Sequence, residues 1–347
     1  MVQHNTTKER LRKKTMKHKV LKGFAMAALT AVAADAFAAK ELRVATAAPQ
    51  NTPWGKWFDG IAAKVTQLSG GELKPVPYYS SQLGDEQTVI RQSVRGRIDM
   101  SGQSNTATSL VVPEFALMAA PYLFSSPEQA DCVFDNHVGH IYGPMLEKAG
   151  LKLLTYVEVG NMIIFARKPI KSPADLANYK IRVAPTKASV GFFDAVGANG
   201  VPLNVLDATP TLKTGGVNGA SWPTVYGIAI GTHKLAPNVT VTRHSHQIGT
   251  LTISMKVWNK LSATEQDWLW KGSQQAGPLR KGIRGAEKGL LGKIAKAGIP
   301  VYEPNDAEMA QWRAAGQQAQ SKLVTELGGR APEIWPRILS AVDSCAG

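Results

Sequence analysis

The sequence predicts an α/β protein built as two domains. Three observations carry that expectation. Apolar alternation at period two gives way to apolar spacing at period 3.6, and back again, from Glu41 onward. At 347 residues the chain is long enough for two cores. Hydrophobic residues make up 44% and aromatics 7%, the balance of an ordinary globular protein.

The first 38 residues read as a leader. Lys13, Lys14, Lys17, Lys19 and Lys22 precede an uncharged apolar run, Gly23–Ala34, and Ala36-Phe37-Ala38 is a small-x-small cleavage site. That pattern predicts export, with cleavage after Ala38 and Met16 as an alternative start. No cysteine directly follows the cleavage point, so a free periplasmic protein is expected, not a lipoprotein. The leader holds eight Lys or Arg against Glu9 and Asp35, so six of the fourteen net positive charges leave with it and about +8 remains. The remaining positive charges form no block and are not interleaved with aromatics, which argues against a nucleic-acid partner.

Leu42 and Val44 mark a strand over Glu41–Thr46, and Ala47-Ala48-Pro49 ends it. Thr52 and Pro53 form an N-cap and first helical position, and Trp54, Phe58, Ile61, Val65 and Leu68 line one face of the helix before Gly70-Gly71. Glu72–Tyr78 is a second strand, and Asp85 caps a helix through Val94. Arg97–Ser101 is a third strand that enters a polar loop, Gly102-Gln103-Ser104-Asn105-Thr106. Ala130–Lys148 is one or two helices; Leu151–Val159 and Met162–Arg167 are strands around Gly160.

Lys180-Ile181-Arg182-Val183 alternates at period two, Pro185 stops it, and Thr186 caps a helix over Lys187–Val196. Arg182 therefore stands at the carboxyl end of a strand, where ligands bind in open α/β sheets. A guanidinium matches a planar carboxylate with two hydrogen bonds. Either Arg182 holds a small-molecule carboxylate, or it is a surface arginine in a β–α connection. Val201–Val205 and Gly216–Ser221 are short strands, Ala220-Ser221-Trp222-Pro223 is a turn, and Asn204 and Tyr226 lie near the turns of this second half. Val239–Thr242 and Thr250–Ser254 are further strands. Ser262 caps a long helical region, Ala263–Ala297, kinked at Pro278. Pro300–Glu303 is a strand, and Asp306–Leu327 and Ala331–Val342 are the last helices.

His244-Ser245-His246 places two imidazoles on one strand face; without a third ligand at suitable spacing it reads as a solvated pair, and no cofactor or metal is expected. Cys132 and Cys345 either form a disulfide or are two buried thiols. No nucleophile–base motif is present, so an enzyme is not the preferred reading.

Several stretches taken together resemble one family. They are Tyr79–Glu86, Ala120–Phe124, Pro169–Leu176, Lys180–Val183 and Leu212–Gly219, in that order and spacing. Over about residues 40–345 the chain resembles the periplasmic solute-binding proteins of tripartite ATP-independent periplasmic (TRAP) transporters, the DctP-like type. The resemblance implies a two-lobe periplasmic binding protein fold, type II-like, with mixed sheets flanked by helices and a long C-terminal helix crossing both lobes. It implies lobe I over 39–160, lobe II over 161–250, a return to lobe I with the connecting helix over 251–297, and C-terminal helices over 298–347 packing mainly on lobe II. Crossovers would fall near Gly160 and Thr250.

The implied function is capture of a small organic acid between the lobes and delivery to the membrane subunits of a sodium-driven TRAP permease, with Arg182 binding the carboxylate. Two departures bear on the ligand. Many members carry a second arginine where Met162 stands, and an asparagine or acidic residue where Trp222 stands. Met162 and Trp222 either pack a monocarboxylate with an apolar or aromatic body, such as a 2-oxo acid, or fill the hinge core. Ala47, Gln103, Ser104, Asn105, Asn204 and Tyr226 complete the expected lining. The alternatives are a periplasmic enzyme acting on an organic acid and a ligand sensor for a receptor kinase.

Overall fold

The computed structural model describes residues 39–346. The leader, with Ala38 and Met16, lies outside the described residues.

Among the described residues ten strands form two half-sheets that share one long strand. In the first, β1 (Lys40–Thr46) pairs in parallel with β2 (Leu73–Tyr78) and β3 (Met100–Ser104), and β3 pairs antiparallel with β9 (His246–Ser254). β9 pairs antiparallel with β4 (Leu151–Ala166) up to Asn161. From Met162 onward β4 belongs to the second half-sheet. There it pairs antiparallel with β7 (Gly219–Pro223) and β8 (Asn238–Thr240). β7 pairs in parallel with β5 (Lys180–Val183), β5 with β6 (Asn199–Pro202), and β8 with β10 (Val301–Tyr302).

The handover on β4 occurs at Gly160. The ladder slips register between Glu158 and Gly160, and Gly160 has φ +100°. That φ calls for glycine, and a Cβ there would also press on Glu287 Oε1 at 2.7 Å and Ile283 Cγ2 at 3.1 Å. Two strands read around Gly160 are thus one bulged strand.

Helix α1 (Pro53–Leu68) follows its Thr52 cap, whose hydroxyl accepts from Gly55 N. Trp54, Phe58, Ile61 and Val65 bury against Leu42, Val44, Met100 and Leu251. α2 (Glu86–Val94) is capped by Asp85, which accepts from Thr88 N at 2.7 Å. α3 (Pro127–Val133) and α4 (Gly139–Lys148) run on through a π-helical turn at Phe134–Val138. In the second half, α5 (Lys187–Ala195) follows its Thr186 cap, and α6 (Val205–Lys213) and α7 (Thr224–Ala229) follow β6 and β7.

The region after Ser262 is two helices, α8 (Ala263–Ser273) and α9 (Ala276–Lys296), broken at Gln274-Gln275. Pro278 does not kink α9. It is the third residue of that helix, where a backbone N–H has no intrahelical partner to lose. α9 crosses both halves: Leu279 and Ile283 lie in the first core, and Leu291 and Ile294 in the second. Full burial of each such side chain is worth roughly 2 kcal/mol, which fixes the helix to both bodies.

α10 (Asp306–Leu327) lays Trp312 and Ala319 on Phe192 and Phe193 of the second half. α11 (Ala331–Ser344) differs from the expectation for the C-terminal helices. Its Ile334, Ile338 and Ala341 pack with Phe115 and Tyr142 in the first half. The reason is covalent as well as apolar: Cys345 is bonded to Cys132 of α3, with Cα atoms 5.8 Å apart.

Three local readings shift. The third strand starts at Met100, because Asp99 is drawn off to accept from Arg43 N at 2.8 Å, and Gln103 and Ser104 are strand residues. The Ala220–Pro223 turn is strand β7, with Pro223 as its last residue, where a missing N–H costs no ladder bond. The histidine pair is not solvated. His244 is 3% exposed, stacks on Phe192 at 4.7 Å, and bonds Thr242 Oγ1 and Ser221 Oγ; His246 is walled in by Phe124 and Phe134.

Candidate functional site

A cavity of about 110 Å³ lies between the two halves. One enclosed water needs about 10–15 Å³ on the same measure, so the space suits a small organic molecule. Thr46, Ala47 and Ala48 from the end of β1, and Gln103 and Ser104 from the end of β3, line one side. Arg182, Ala184 and Pro185 at the end of β5, and Trp222, Pro223 and Tyr226 from the β7–α7 junction, line the other. Met162 and Val159 come from the handover segment of β4. Strand ends from both half-sheets therefore converge on one space, as the carboxyl edges of α/β sheets do.

Arg182 is 3% exposed and its guanidinium is fixed on three sides. Nε and Nη2 donate to Leu203 O at 3.1 and 2.9 Å, and Nη1 donates to Ser221 O at 2.8 Å. Its Cζ lies 3.5 Å from the centroid of the Trp222 ring. A guanidinium has five N–H donors; three are used, two are left, and among the described residues no carboxylate lies within salt-bridge distance of it. Burial lowers its pKa to about 9, against the pull of Tyr226 and Glu86, so it remains a cation at neutral pH. A buried cation with two free donors, held flat by backbone carbonyls and an indole, is arranged for a planar anion.

Glu86, the first residue of α2, also lines the cavity. Its carboxylate accepts from Ser104 N and Ser104 Oγ, both at 2.7 Å. Burial pushes its pKa up, while the Ser104 donors and the Arg182 charge pull it down. Tyr226 is pushed up to about 12 by burial and by Glu86, against Arg182. Gln103, 3% exposed, has neither amide atom bonded to protein. Phe58 reaches the cavity because residue 102 is glycine: a Cβ on Gly102 would lie 2.1 Å from the ring.

Of the residues singled out in the sequence, Ala47, Gln103, Ser104, Met162, Arg182, Asn204, Trp222 and Tyr226 line this cavity. Asn105 does not. It is 1% exposed and its amide donates to Phe115 O at 2.7 Å, toward the core behind β3. Asn204 lines the rim with its amide engaged across the gap. Gln87 Nε2 donates to Asn204 Oδ1, and Asn204 Nδ2 donates to Asp85 Oδ2 at 3.5 Å. Trp222 and Met162 are both buried, and both also line the cavity.

Glu86, Trp54, Phe58 and Gln247 also line the cavity and were not anticipated. Glu86 stands inside the Tyr79–Glu86 motif, in the first turn of α2, where an acidic residue is ordinary. Trp54 and Phe58 read as core, which they also are.

Two α/β halves joined by a bulged strand and a shared helix, with one cavity between strand ends, define a two-lobe solute-binding protein. The model of bacterial extracellular solute-binding protein family 7 (DctP) matches residues 44–326, and the chain belongs to that family. It is 28% identical to the 2,3-diketo-L-gulonate-binding periplasmic protein YiaO of Escherichia coli, over 92% of this chain and 96% of the relative. It is 24% identical to the sialic acid-binding periplasmic protein SiaP of Vibrio cholerae, over 77% and 83%. Among solved structures, the sugar acid binding protein DctPAm of Advenella mimigardefordensis, in complex with galactonate, superposes with TM-score 0.84 at 23% identity, covering 89% of this chain and 99% of that one. A TRAP periplasmic solute binding protein of Sulfurospirillum deleyianum with bound succinate gives 0.81 at 22% identity, covering 88% and 99%.

Proposed function

We propose that the protein is a periplasmic receptor that captures a small organic acid between its two halves and presents it to the membrane subunits of a TRAP permease. The observation that carries this reading is Arg182: a buried cation with two uncommitted donors on the cavity wall. The relatives lend support, since YiaO and SiaP are named for acids and the structural neighbours hold galactonate and succinate.

The ligand we favour is a monocarboxylate with an apolar flank, with or without a 2-oxo group. Its carboxylate takes the Arg182 donors. Its body rests against Trp222, Met162 and Phe58, which offer aromatic and thioether surface and no second cation. Only the closed arrangement puts both halves in contact with the ligand, so binding favours closure. The role is capture without turnover, and the leader supplies the route to the periplasm.

The test is a thermal-shift and calorimetry panel of mono-, di- and 2-oxo-carboxylates with their neutral amides, because a tight ligand raises the melting point by mass action. Monocarboxylates are expected to bind one-to-one and to be recovered intact. Binding of the amides as tightly as the acids would overturn the Arg182 reading, and turnover would overturn the receptor role.

A further inference from the structure

The cavity occupies one face of the hinge strands, and a larger space lies on the other. Met162 of β4 and Gln247 of β9 line the cavity, whereas their chain neighbours Asn161 and His246 line a groove of about 1000 Å³. Successive strand residues point to opposite faces, and Asn161 and His246 are partners in the β4–β9 ladder. The groove therefore backs onto the cavity through one layer of strand, at the handover beside Gly160. Phe124, Pro127, Leu339 and Val342 of the first half form one bank. Pro304 and, from α10, Met309 and Arg313 form the other.

The charge of this groove is one-sided. Arg243, Arg284 and Arg313 line it against a single carboxylate, Glu287. Glu287 is occupied by Asn161, whose N and Nδ2 donate to it at 2.8 and 3.2 Å, and Arg284 by Asp131 and Glu158. Arg243 reaches only Glu303, at 3.4 Å. Arg313 is exposed, and among the described residues no carboxylate lies within salt-bridge distance of it. The apolar lining is open as well: Leu339, 38% exposed, is one of four large hydrophobic side chains left uncovered among the described residues. His246, set between Phe124 and Phe134, keeps Nε2 buried without a hydrogen-bond partner, although such atoms are nearly always bonded. An unpaired cation, an uncovered leucine and an unpartnered imidazole in one groove suit an anion carried on an apolar body.

We propose that this groove is a second binding site, for an amphipathic organic anion, and that its occupant favours closure of the cavity. The halves turn about the strands that the two spaces share, so a motion that draws the cavity walls together spreads the banks behind them. That is the arrangement present here: Asn204 bonds Gln87 and Asp85 across the cavity while the groove stands open. A ligand that needs the spread banks binds the closed form better. By linkage it raises the affinity for the acid held at Arg182, and the acid raises its affinity by the same factor. The inference goes beyond the capture reading and holds whichever acid is captured.

The experiment uses the mature, disulfide-bonded chain and a fluorescent amphipathic anion, 8-anilinonaphthalene-1-sulfonate, with N-phenyl-1-naphthylamine as its neutral counterpart. The sulfonate is expected to bind one-to-one and at least tenfold tighter than the neutral compound. Arg313→Glu and Leu339→Ser alter exposed positions, and each is expected to weaken it at least tenfold, with melting points as the check on folding. Arg182→Ala, in the front cavity, is expected to leave its affinity within about twofold. Closure is read separately, from the distance between spin labels on Asn51→Cys and Asp207→Cys, exposed positions a few residues from the cavity-lining Ala48 and Val205. The sulfonate is expected to raise the share of short distances.

Unsaturable fluorescence that the variants leave unchanged, or equal binding of the neutral compound, would overturn the anion site. Loss of binding in Arg182→Ala would put the sulfonate in the front cavity, and a concentration-dependent dimer that Leu339→Ser dissolves would give the groove to a second copy of the chain; either overturns the proposal. Bound sulfonate with an unchanged or longer label distance would overturn the coupling. The Arg182 reading survives all of these outcomes, because acids are compared with their amides in the absence of the sulfonate.

Discussion

The guanidinium carbon of Arg182 lies 3.5 Å from the centre of the Trp222 ring, and both side chains are almost fully buried. The indole fixes the plane in which the two free donors lie. A desolvated cation–π contact is worth about 2 kcal/mol. Trp222→Ala should therefore weaken acid binding by about thirtyfold, while Trp222→Phe, which keeps an aromatic face, should lose less. Calorimetry on the two variants decides it: equal losses would mean that the ring only fills space.

Arg182→Lys separates charge from geometry. A single ammonium cannot satisfy Leu203 O and Ser221 O and also offer two parallel donors to a carboxylate. Affinity should fall by about a hundredfold, the scale of one charge-assisted pair. The ligand-free protein should melt a few degrees lower, because one carbonyl loses its partner. Unchanged affinity would remove the carboxylate from this position.

Asn204 behaves as a clasp between the halves. It accepts from Gln87 and donates to Asp85, both on the α2 side of the cavity. Asn204→Ala should weaken every acid by the same factor, up to about tenfold, because it lowers the population of the closed form and not one ligand's contacts. Dissociation rates for three chemically different acids would show it. A loss confined to hydroxylated acids would make Asn204 a ligand contact instead.

Much of this fold was legible in the sequence because its signals are local. Thr52, Asp85, Thr186 and Ser262 each cap the helix expected of them, and each side chain accepts from the backbone N–H three residues on. Arg182 and Gln103 were legible as residues near strand ends, and Met162 and Trp222 only as departures from the family pattern. What stayed hidden depends on contacts distant in sequence. The burial of His244 follows from α5 and β7 meeting over it, and nothing in His244-Ser245-His246 announces Phe192. Asn105 looked like its neighbours Gln103 and Ser104, yet one residue further along the chain has left the strand and points into the core. Glu86 was masked by its position, since acidic residues are common in a first helical turn for reasons unconnected with ligands.

The Cys132–Cys345 bond closes a loop of 213 residues and fastens the end of α11 to α3. On the chain-entropy model the ceiling for such a loop is about 5 kcal/mol. The bond is half-buried at the edge of the first half's core, and neither cysteine lines the cavity. The Cys132→Ser/Cys345→Ser double variant should unfold at lower denaturant with acid affinity unchanged once folded. A loss of affinity in the folded variant would tie α11 to closure.

His244 gives the protein a slope of stability with pH, and the sign follows from burial. Its imidazole is enclosed by Phe192, Phe193, Thr242 and Ser221, and desolvation lowers its pKa to about 3, against about 6.5 for a free histidine. The native state therefore stays unprotonated while the unfolded chain takes up a proton as pH drops through 6.5. Stability is full above that pH and falls by about 1.4 kcal/mol per unit below it, until the native group titrates too. His246, lowered to about 4 by burial and by Arg284, adds a second increment of the same sign. Glu86 and Glu287 act the other way, since burial raises their pKa values and the native state gains from protonating them as the solution acidifies. The net curve mixes these groups, so the informative quantity is a difference. Unfolding free energies of the parent and of His244→Gln, measured by denaturant at intervals from pH 7.5 to 5, should diverge below pH 6.5, with the variant's curve shallower by about 1.4 kcal/mol per unit. Parallel curves would mean that His244 titrates alike in both states and that the pocket around it admits the proton.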